Sequence, residues 1–355
     1  FFHPYPGMEQ DDPPVAFEIS QPYRYIYFDP SKVTASIVTC GGLCPGLNNV
    51  IRSIVMSLYY GYGVRSIFGI RYGLQGFISE YNHPMIKLTP EVVSDIHERG
   101  GTMLGSSRGA QSIEAIVDTL ERQNMNMLFI IGGDGTLRAA QKIETEIAKR
   151  NLKISVVAIP KTIDNDISFV SKSFGFETAV DSATKAIQCA HTEAVSYPNG
   201  IGLVKLMGRY SGFIAATAAA SQRDVNFVLI PEVDFDLEGA NGFLEVLKKR
   251  LLARSHAVIV VAEGAGQKFF DNEVKTTDMS GNIRLKDIGN YLKDRVVEYF
   301  TSQNMEVNLK YIDPSYIIRS VPANTSDGLF SATLGQNAVP AAMSGRTGLV
   351  VSIWH

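Results

Sequence analysis

Asp164 and Asp166 stand two residues apart in Pro160-Lys161-Thr162-Ile163-Asp164-Asn165-Asp166, beside a hydroxyl and an ammonium group. One carboxylate of such a pair can take the proton of an attacking hydroxyl while a cation neutralises anionic oxygens. An Asp-Asn-Asp turn closed by its own side-chain-to-backbone bonds uses the same residues, so the loop alone leaves both readings open. Earlier, Ile130-Ile131-Gly132-Gly133-Asp134-Gly135-Thr136 joins close backbone approach to a carboxylate. Such a turn could hold a magnesium-bound phosphate chain, or be a tight turn with Asp134 as a helix N-cap. Cys40-Gly41-Gly42-Leu43-Cys44-Pro45-Gly46-Leu47-Asn48 offers backbone N–H groups and a helix start to a phosphate, or serves packing only; the Gly-Lys-Ser/Thr of a Walker A loop is missing.

Further clusters extend the set. Lys205-Leu206-Met207-Gly208-Arg209-Tyr210-Ser211-Gly212 puts Arg209 where it grips a sugar or phosphate, or leaves it at the surface. Ala262-Glu263-Gly264 ends an apolar run in a carboxylate for sugar hydroxyls, a helix cap or an ion pair. Lys310, Tyr316 and Arg319 read as one short extended segment, a claw for a monoester phosphate against the default of solvated cations. Gly105-Ser106-Ser107-Arg108-Gly109 carries an arginine that reaches transferring phosphoryl oxygens or decorates the surface. The six histidines have no ligand spacing and read as structural.

What must position these loops is a series of short apolar strands alternating with helical stretches. Strands are expected at 33–39, 66–70, 127–131, 154–159, 200–206, 225–230 and 257–262. Their runs are continuous, as in parallel strands covered on both faces, so the class is α/β with two doubly wound, mainly parallel lobes. The Gly-rich and acidic clusters at 40–48, 132–136, 160–166, 205–212 and 262–264 each come at the end of such a strand, where ligands sit in these folds. Phe1 to Pro30 reads as an irregular arm without a secretory signal, Asp271 to Asn282 as an exposed loop, and Val350 to His355 as a late strand. A chain of 355 residues with 45% apolar and 19% charged residues suits two soluble domains. Its net charge of −3 gives no field for nucleic acid, and no apolar run approaches a membrane span. Three cysteines without a CxxC pair suggest neither disulfides nor zinc, which fits a reducing compartment.

Taken in order, GGLCPGLN, GGDGT, PKTIDND, KLMGRYSGF, VAEG and YIDPSYIIR resemble the 6-phosphofructokinase family over nearly the whole chain after residue 30. The resemblance implies two Rossmann-like three-layer lobes: 31–165, binding ATP and Mg2+ with help from the C-terminal segment, and 166–355, binding fructose 6-phosphate, after an arm at 1–30. It implies Asp164 as general base, Thr162 and Asp166 as its support, and Arg108 and Arg209 as catalytic cations. The implied ATP contacts are Gly42, Arg108, Gly133, Gly135, Thr136 and Lys161, with Asp134 at the metal. For the sugar phosphate they are Thr162, Asp164, Met207, Gly208, Arg209, Glu263, Lys310, Tyr316 and Arg319.

Two departures stand out. Bacterial members carry an interface arginine before the MGR strand, where Asn199-Gly200-Ile201 stands here. ATP users of the family pair GGDG with PGTIDN and pyrophosphate users pair GGDD with PKTIDN, whereas this chain joins GGDG to PKTIDN. That mixture resembles the ATP-using branch of plants and trypanosomatids, related in sequence to pyrophosphate enzymes. Gly135 leaves the α-phosphate room that an aspartate would close and charge against it. The expected donor is therefore ATP, the alternatives being pyrophosphate or a non-catalytic regulatory paralogue. A homo-oligomer is implied, a tetramer before a dimer. The compartment expected is the cytoplasm, with a peroxisome-like organelle if a targeting signal follows residue 355.

Overall fold

The computed structural model describes residues 17–272, 274, 276–277 and 283–353. Phe1 to Ala16, Trp354, His355 and most of the loop expected at 271–282 lie outside the described residues. In chain order the elements begin β1 Thr34–Thr39, α1 Leu47–Met56, β2 Ser66–Ile70, β3 Ile86–Lys87, α2 Ile113–Arg122, β4 Met127–Gly132, α3 Asp134–Lys149 and β5 Ser155–Pro160. They continue α4 Phe176–Val195, β6 Gly200–Leu206, α5 Phe213–Gln222, β7 Phe227–Leu229, α6 Phe243–Arg254 and β8 His256–Ala262. Last come α7 Ile288–Ser302, β9 Asn308–Ile312, α8 Ile317–Ser320, α9 Thr325–Met343 and β10 Leu349–Val350.

The strands form two sheets, ordered β10-β5-β4-β1-β2-β3 and β7-β8-β6-β9. Every pairing is parallel except that of β2 with β3. All six residues of β4 and all six of β5 are buried, because successive side chains point to opposite faces and both faces are covered. Val38, Ile130 and Val156 join α2 and α3 in one core layer, while Ile37, Ile131 and Val157 join α1 and α9 in the other. The second sheet repeats the arrangement: Leu203 and Ile259 face α6 and α7, Val204 and Val260 face α4 and α5. The layer holding α1, α4, α5 and α9 is one continuous core touching both sheets. The molecule is thus α/β, two three-layer lobes with their sheets largely parallel.

The expected strands all form, with β7 shortened to three residues. Strands β3 and β9 were not expected. The first has only two residues, and Asn308-Leu309-Lys310-Tyr311-Ile312 is a half-buried edge without an apolar run. The late strand falls at Leu349–Val350 and returns to β5 in the first sheet. The segment bearing Lys310, Tyr316 and Arg319 is not extended throughout. Lys310 lies in β9, whereas Tyr316 caps and Arg319 belongs to α8. Residues 17–30 hold no helix or strand.

Candidate active site

The loops singled out after β1, β4, β5, β6, β8 and β9 all leave carboxyl ends of strands, where parallel sheets leave crevices for ligands. After β1, Gly41 and Gly46 adopt positive φ, of 82° and 103°, turning the chain into α1. The loop 105–109 docks onto this turn: Gly41 N–H donates to Ser107 O at 3.2 Å, and Ser106 Oγ to Gly41 O at 2.6 Å. That docking brings Arg108 to Gly42. A Cβ built on Gly42 would lie 3.1 Å from Arg319 Nη1 and 3.7 Å from Arg108 Nη2. Lys161, 6% exposed, donates from Nζ to Gly42 O at 2.8 Å.

Three cations from three separate segments thus meet at one glycine. Burial lowers the pKa of both Lys161 and Arg319, and the neighbouring cations add to the effect. Arg319 Nε is buried without a hydrogen-bond partner. Cations crowded in this way make a receptor for an anion, which would relieve their repulsion and supply the acceptor that Arg319 Nε lacks.

The loop after β5 is held rigid. Asn165 takes a left-handed φ of 55°, and its Oδ1 accepts Ser173 N–H at 2.8 Å. Ser173 Oγ donates to Thr162 O at 2.6 Å, and Ser211 Oγ to Asp164 O at 2.9 Å. Thr162 Oγ1 accepts from Asp164 N–H and donates to Asp166 Oδ1, both at 3.1 Å. Burial, then the charges of Asp166 and Glu263, push the Asp164 carboxyl up to about 7. A backbone N–H of Arg209 and the Arg209 charge oppose that rise. Glu263 is likewise raised, by burial, against Arg209, Lys205 and Arg319. A carboxylate with its pKa near neutrality is matched to proton transfer at neutral pH.

Asp134 is not a helix N-cap. Gly133 occupies that position, while Asp134 is the exposed first residue of α3 and pairs with Arg138. Nothing lies within 4 Å of a Cβ on Gly135, and Thr136 packs across Gly132. At the end of β6, Gly208 takes φ 129°, and a Cβ on Gly264 would sit 1.9 Å from Arg209 O. Those two glycines let the loops carrying Met207, Arg209 and Glu263 lie against each other. Arg209 Nη1 donates to Ile283 O at 2.7 Å. Tyr316 is 72% exposed, with Arg319 stacked 4.8 Å from its ring centre.

Lys310 is not brought to this cleft. It pairs in register with Gly202, early in β6, and its Nζ lies 5.1 Å from the ring centre of Tyr197, which precedes that strand. The claw therefore reduces to Arg319 and Tyr316. Ser173 and Ser211, which pin the Asp164 loop, carry no local signature: the Ser211 bond spans 47 residues. Among the described residues no three His, Cys, Asp or Glu side chains converge on a metal position, and no helix is long and apolar enough to cross a membrane.

The phosphofructokinase family model matches residues 34–342. The ATP-dependent 6-phosphofructokinase of Borreliella burgdorferi is 59% identical over 346 residues, 96% of this chain and 77% of the relative. ATP-dependent 6-phosphofructokinase 7 of Arabidopsis thaliana is 52% identical over 94% of this chain and 69% of its own length. Among solved structures, a pyrophosphate-dependent phosphofructokinase of Marinobacter aquaeolei superposes with a TM-score of 0.74 at 19% identity, over 91% of this chain and 79% of that one. Pichia pastoris phosphofructokinase in the T-state gives 0.72 at 20% identity, over 91% and 34%.

Proposed function

Because the chain belongs to the phosphofructokinase family, we propose that it moves the γ-phosphoryl group of ATP onto the 1-hydroxyl of fructose 6-phosphate, a kinase step of glycolysis. One observation carries the reading: a partly buried aspartate tuned to about 7 within electrostatic reach of a partly buried arginine that shares its glycine turn with two more cations. Phosphoryl transfer to an alcohol asks for these parts, a proton acceptor at the hydroxyl and fixed positive charge at the phosphate. The sugar O1 bonds to the γ-phosphorus, the bond to the β-phosphate oxygen breaks, ADP leaves, and the hydroxyl proton passes to Asp164.

Thr162 holds Asp166 beside that carboxylate, whose charge keeps the Asp164 proton affinity high. Arg108 and Lys161 neutralise the transferring group, while Gly42, Gly133, Gly135 and Thr136 line the nucleotide phosphates. Met207, Gly208, Arg209 and Glu263 hold the sugar, and Arg319 with Tyr316 takes its 6-phosphate. Magnesium fits the donor set, since it is commonly bound by one or two carboxylates together with phosphate oxygens and water. Asp134 would hold it, and when bound it neutralises charge on the donor phosphates.

On this reading residues 31–165 form the nucleotide lobe and 166–355 the sugar lobe, with α9 and β10 returning to the first. The molecule would be a homo-oligomer, a tetramer before a dimer, with exposed Tyr210 and Phe213 in contact surfaces. Light scattering of purified protein tests this, and a monomer would exclude it. The free thiols of Cys40, Cys44 and Cys189 suit the cytoplasm.

A donor comparison tests the central reading. With equal magnesium, the wild-type protein should phosphorylate fructose 6-phosphate from ATP and not from pyrophosphate. Gly135→Asp should cut kcat/KM for ATP by about 100-fold or more, because a carboxylate then fills the open space over α3 and repels the α-phosphate. Turnover with pyrophosphate alone would overturn the donor, and turnover with neither would overturn the function.

A further inference from the structure

The chemistry above uses Arg209 and Glu263 at the ends of β6 and β8, yet leaves the lysine beside them without a task. Lys205 is the penultimate residue of β6 and its side chain is only 12% exposed. Its Nζ lies 2.8 Å from Asp313 Oδ2 and 3.4 Å from Asp287 Oδ1. Burial works against the ammonium form, but Asp313, Tyr311 and Asp287 outweigh it, and the pKa stands above the ordinary lysine value.

Each carboxylate has a second engagement. Asp313 Oδ1 accepts the Ser315 N–H at 3.1 Å and the Ser315 hydroxyl, closing the turn Asp313-Pro314-Ser315 that leaves β9. Pro314 O then accepts from Ile317 N at 2.8 Å and Ile318 N at 3.0 Å, which starts α8. Asp287 caps α7 by accepting Asn290 N–H at 3.1 Å. A helix of four residues cannot hold a direction by itself, so α8 takes its direction from the turn it grows out of. On α8 stands Arg319, whose guanidinium reaches Gly42 in the other lobe.

We propose that Lys205 is a positioning residue for the sugar-phosphate side of the site, clamping Asp313 so that the turn into α8 delivers Arg319 to the cleft. The inference rests on Arg319 as a contact of the sugar 6-phosphate. Both carboxylates are at least a third exposed, so the ion pairs add little to folding and their yield is geometric.

The test measures Lys205→Met, Lys205→Arg and Asp313→Asn with ATP and fructose 6-phosphate. Lys205→Met is expected to raise KM for fructose 6-phosphate about tenfold or more, with kcat within about threefold and KM for ATP unchanged. Lys205→Arg restores most of the affinity, and Asp313→Asn repeats the loss. In an Arg319→Ala background, Lys205→Met adds nothing further, since both act through one contact. An unchanged KM for fructose 6-phosphate in folded Lys205→Met overturns the proposal. So does a joint fall of kcat, both affinities and Tm. Should Lys205→Met not fold, a wild-type KM in Asp313→Asn overturns it equally. A wild-type protein inactive on fructose 6-phosphate fails the parent reading instead, which separates the two failures.

Discussion

At the scale of single residues the candidate site is marked by the raised carboxyl of Asp164. Burial is the largest cause of its raised pKa, and the neighbouring Asp166 and Glu263 charges reinforce it. An acid raised to about 7 is ionised, and so able to accept a proton, only above that pH. The acidic limb of kcat/KM should therefore fall near pH 7 and not near the ordinary aspartate value. Removing a like charge stabilises the ionised form, so Asp166→Asn should move that limb to lower pH. A limb that stays in place, measured in constant-ionic-strength buffers, would remove Asp166 from the account. Asp164→Asn should lower kcat by about 10²–10⁴-fold with KM for fructose 6-phosphate little changed, read from steady-state kinetics.

At the scale of elements, what matters is how closely helices are held against the loops they start from. Helix α1 begins at the turn through Gly41 and Gly46 and crosses α9, where Ser53 Oγ donates to Ala332 O at 2.6 Å. A Cβ on Gly335 would come within 2.9 Å of both Ser53 Cβ and Val50 O. Replacing a mid-helix glycine ordinarily stabilises a helix by about 1 kcal/mol. Here a branched side chain cannot be admitted without prising α9 from α1, and overpacking costs of about 1–3 kcal/mol outweigh the gain. Gly335→Leu should thus lower Tm in a calorimetric scan, and a raised Tm would show that the crossing is not tight. The same reasoning explains Gly264, where a β-carbon would strike Arg209 O of the facing loop, and Gly208, where it would strike Ser211 O of its own turn.

At the scale of the whole molecule, the two lobes share one core, and a buried polar contact crosses it. Asp327, at the start of α9, is fully buried, and its Oδ2 accepts Thr178 N–H at 2.7 Å and Thr178 Oγ1 at 2.6 Å. Helix α9 packs on the first lobe through α1, and α4 on the second through β6. Burial holds the Asp327 carboxyl above its ordinary value, against the Thr178 bonds that favour the ionised form. Thr178→Val keeps the shape but removes one donor from a buried carboxylate, which should cost about 1–3 kcal/mol of unfolding free energy. Denaturant titration checks this; an unchanged midpoint would mean that the contact does not couple the lobes.

The sequence alone determined the α/β class and the positions of most strands, and singled out the loops at their carboxyl ends, because each rests on local information. Continuous apolar runs mark buried parallel strands, and glycines with carboxylates mark the turns at their ends. It also located Asp134, Gly135, Asp164 and Glu263 by motif. Only the tertiary structure decided which cations meet. Arg108, Lys161 and Arg319 come from separate segments to one glycine, while Lys310, close to Arg319 in sequence, turns to Tyr197 at the other end of β6. It likewise decided that Lys205 holds Asp313 and that burial raises Asp164. Convergence and desolvation are properties of chain segments distant in sequence brought together, so no local pattern encodes them.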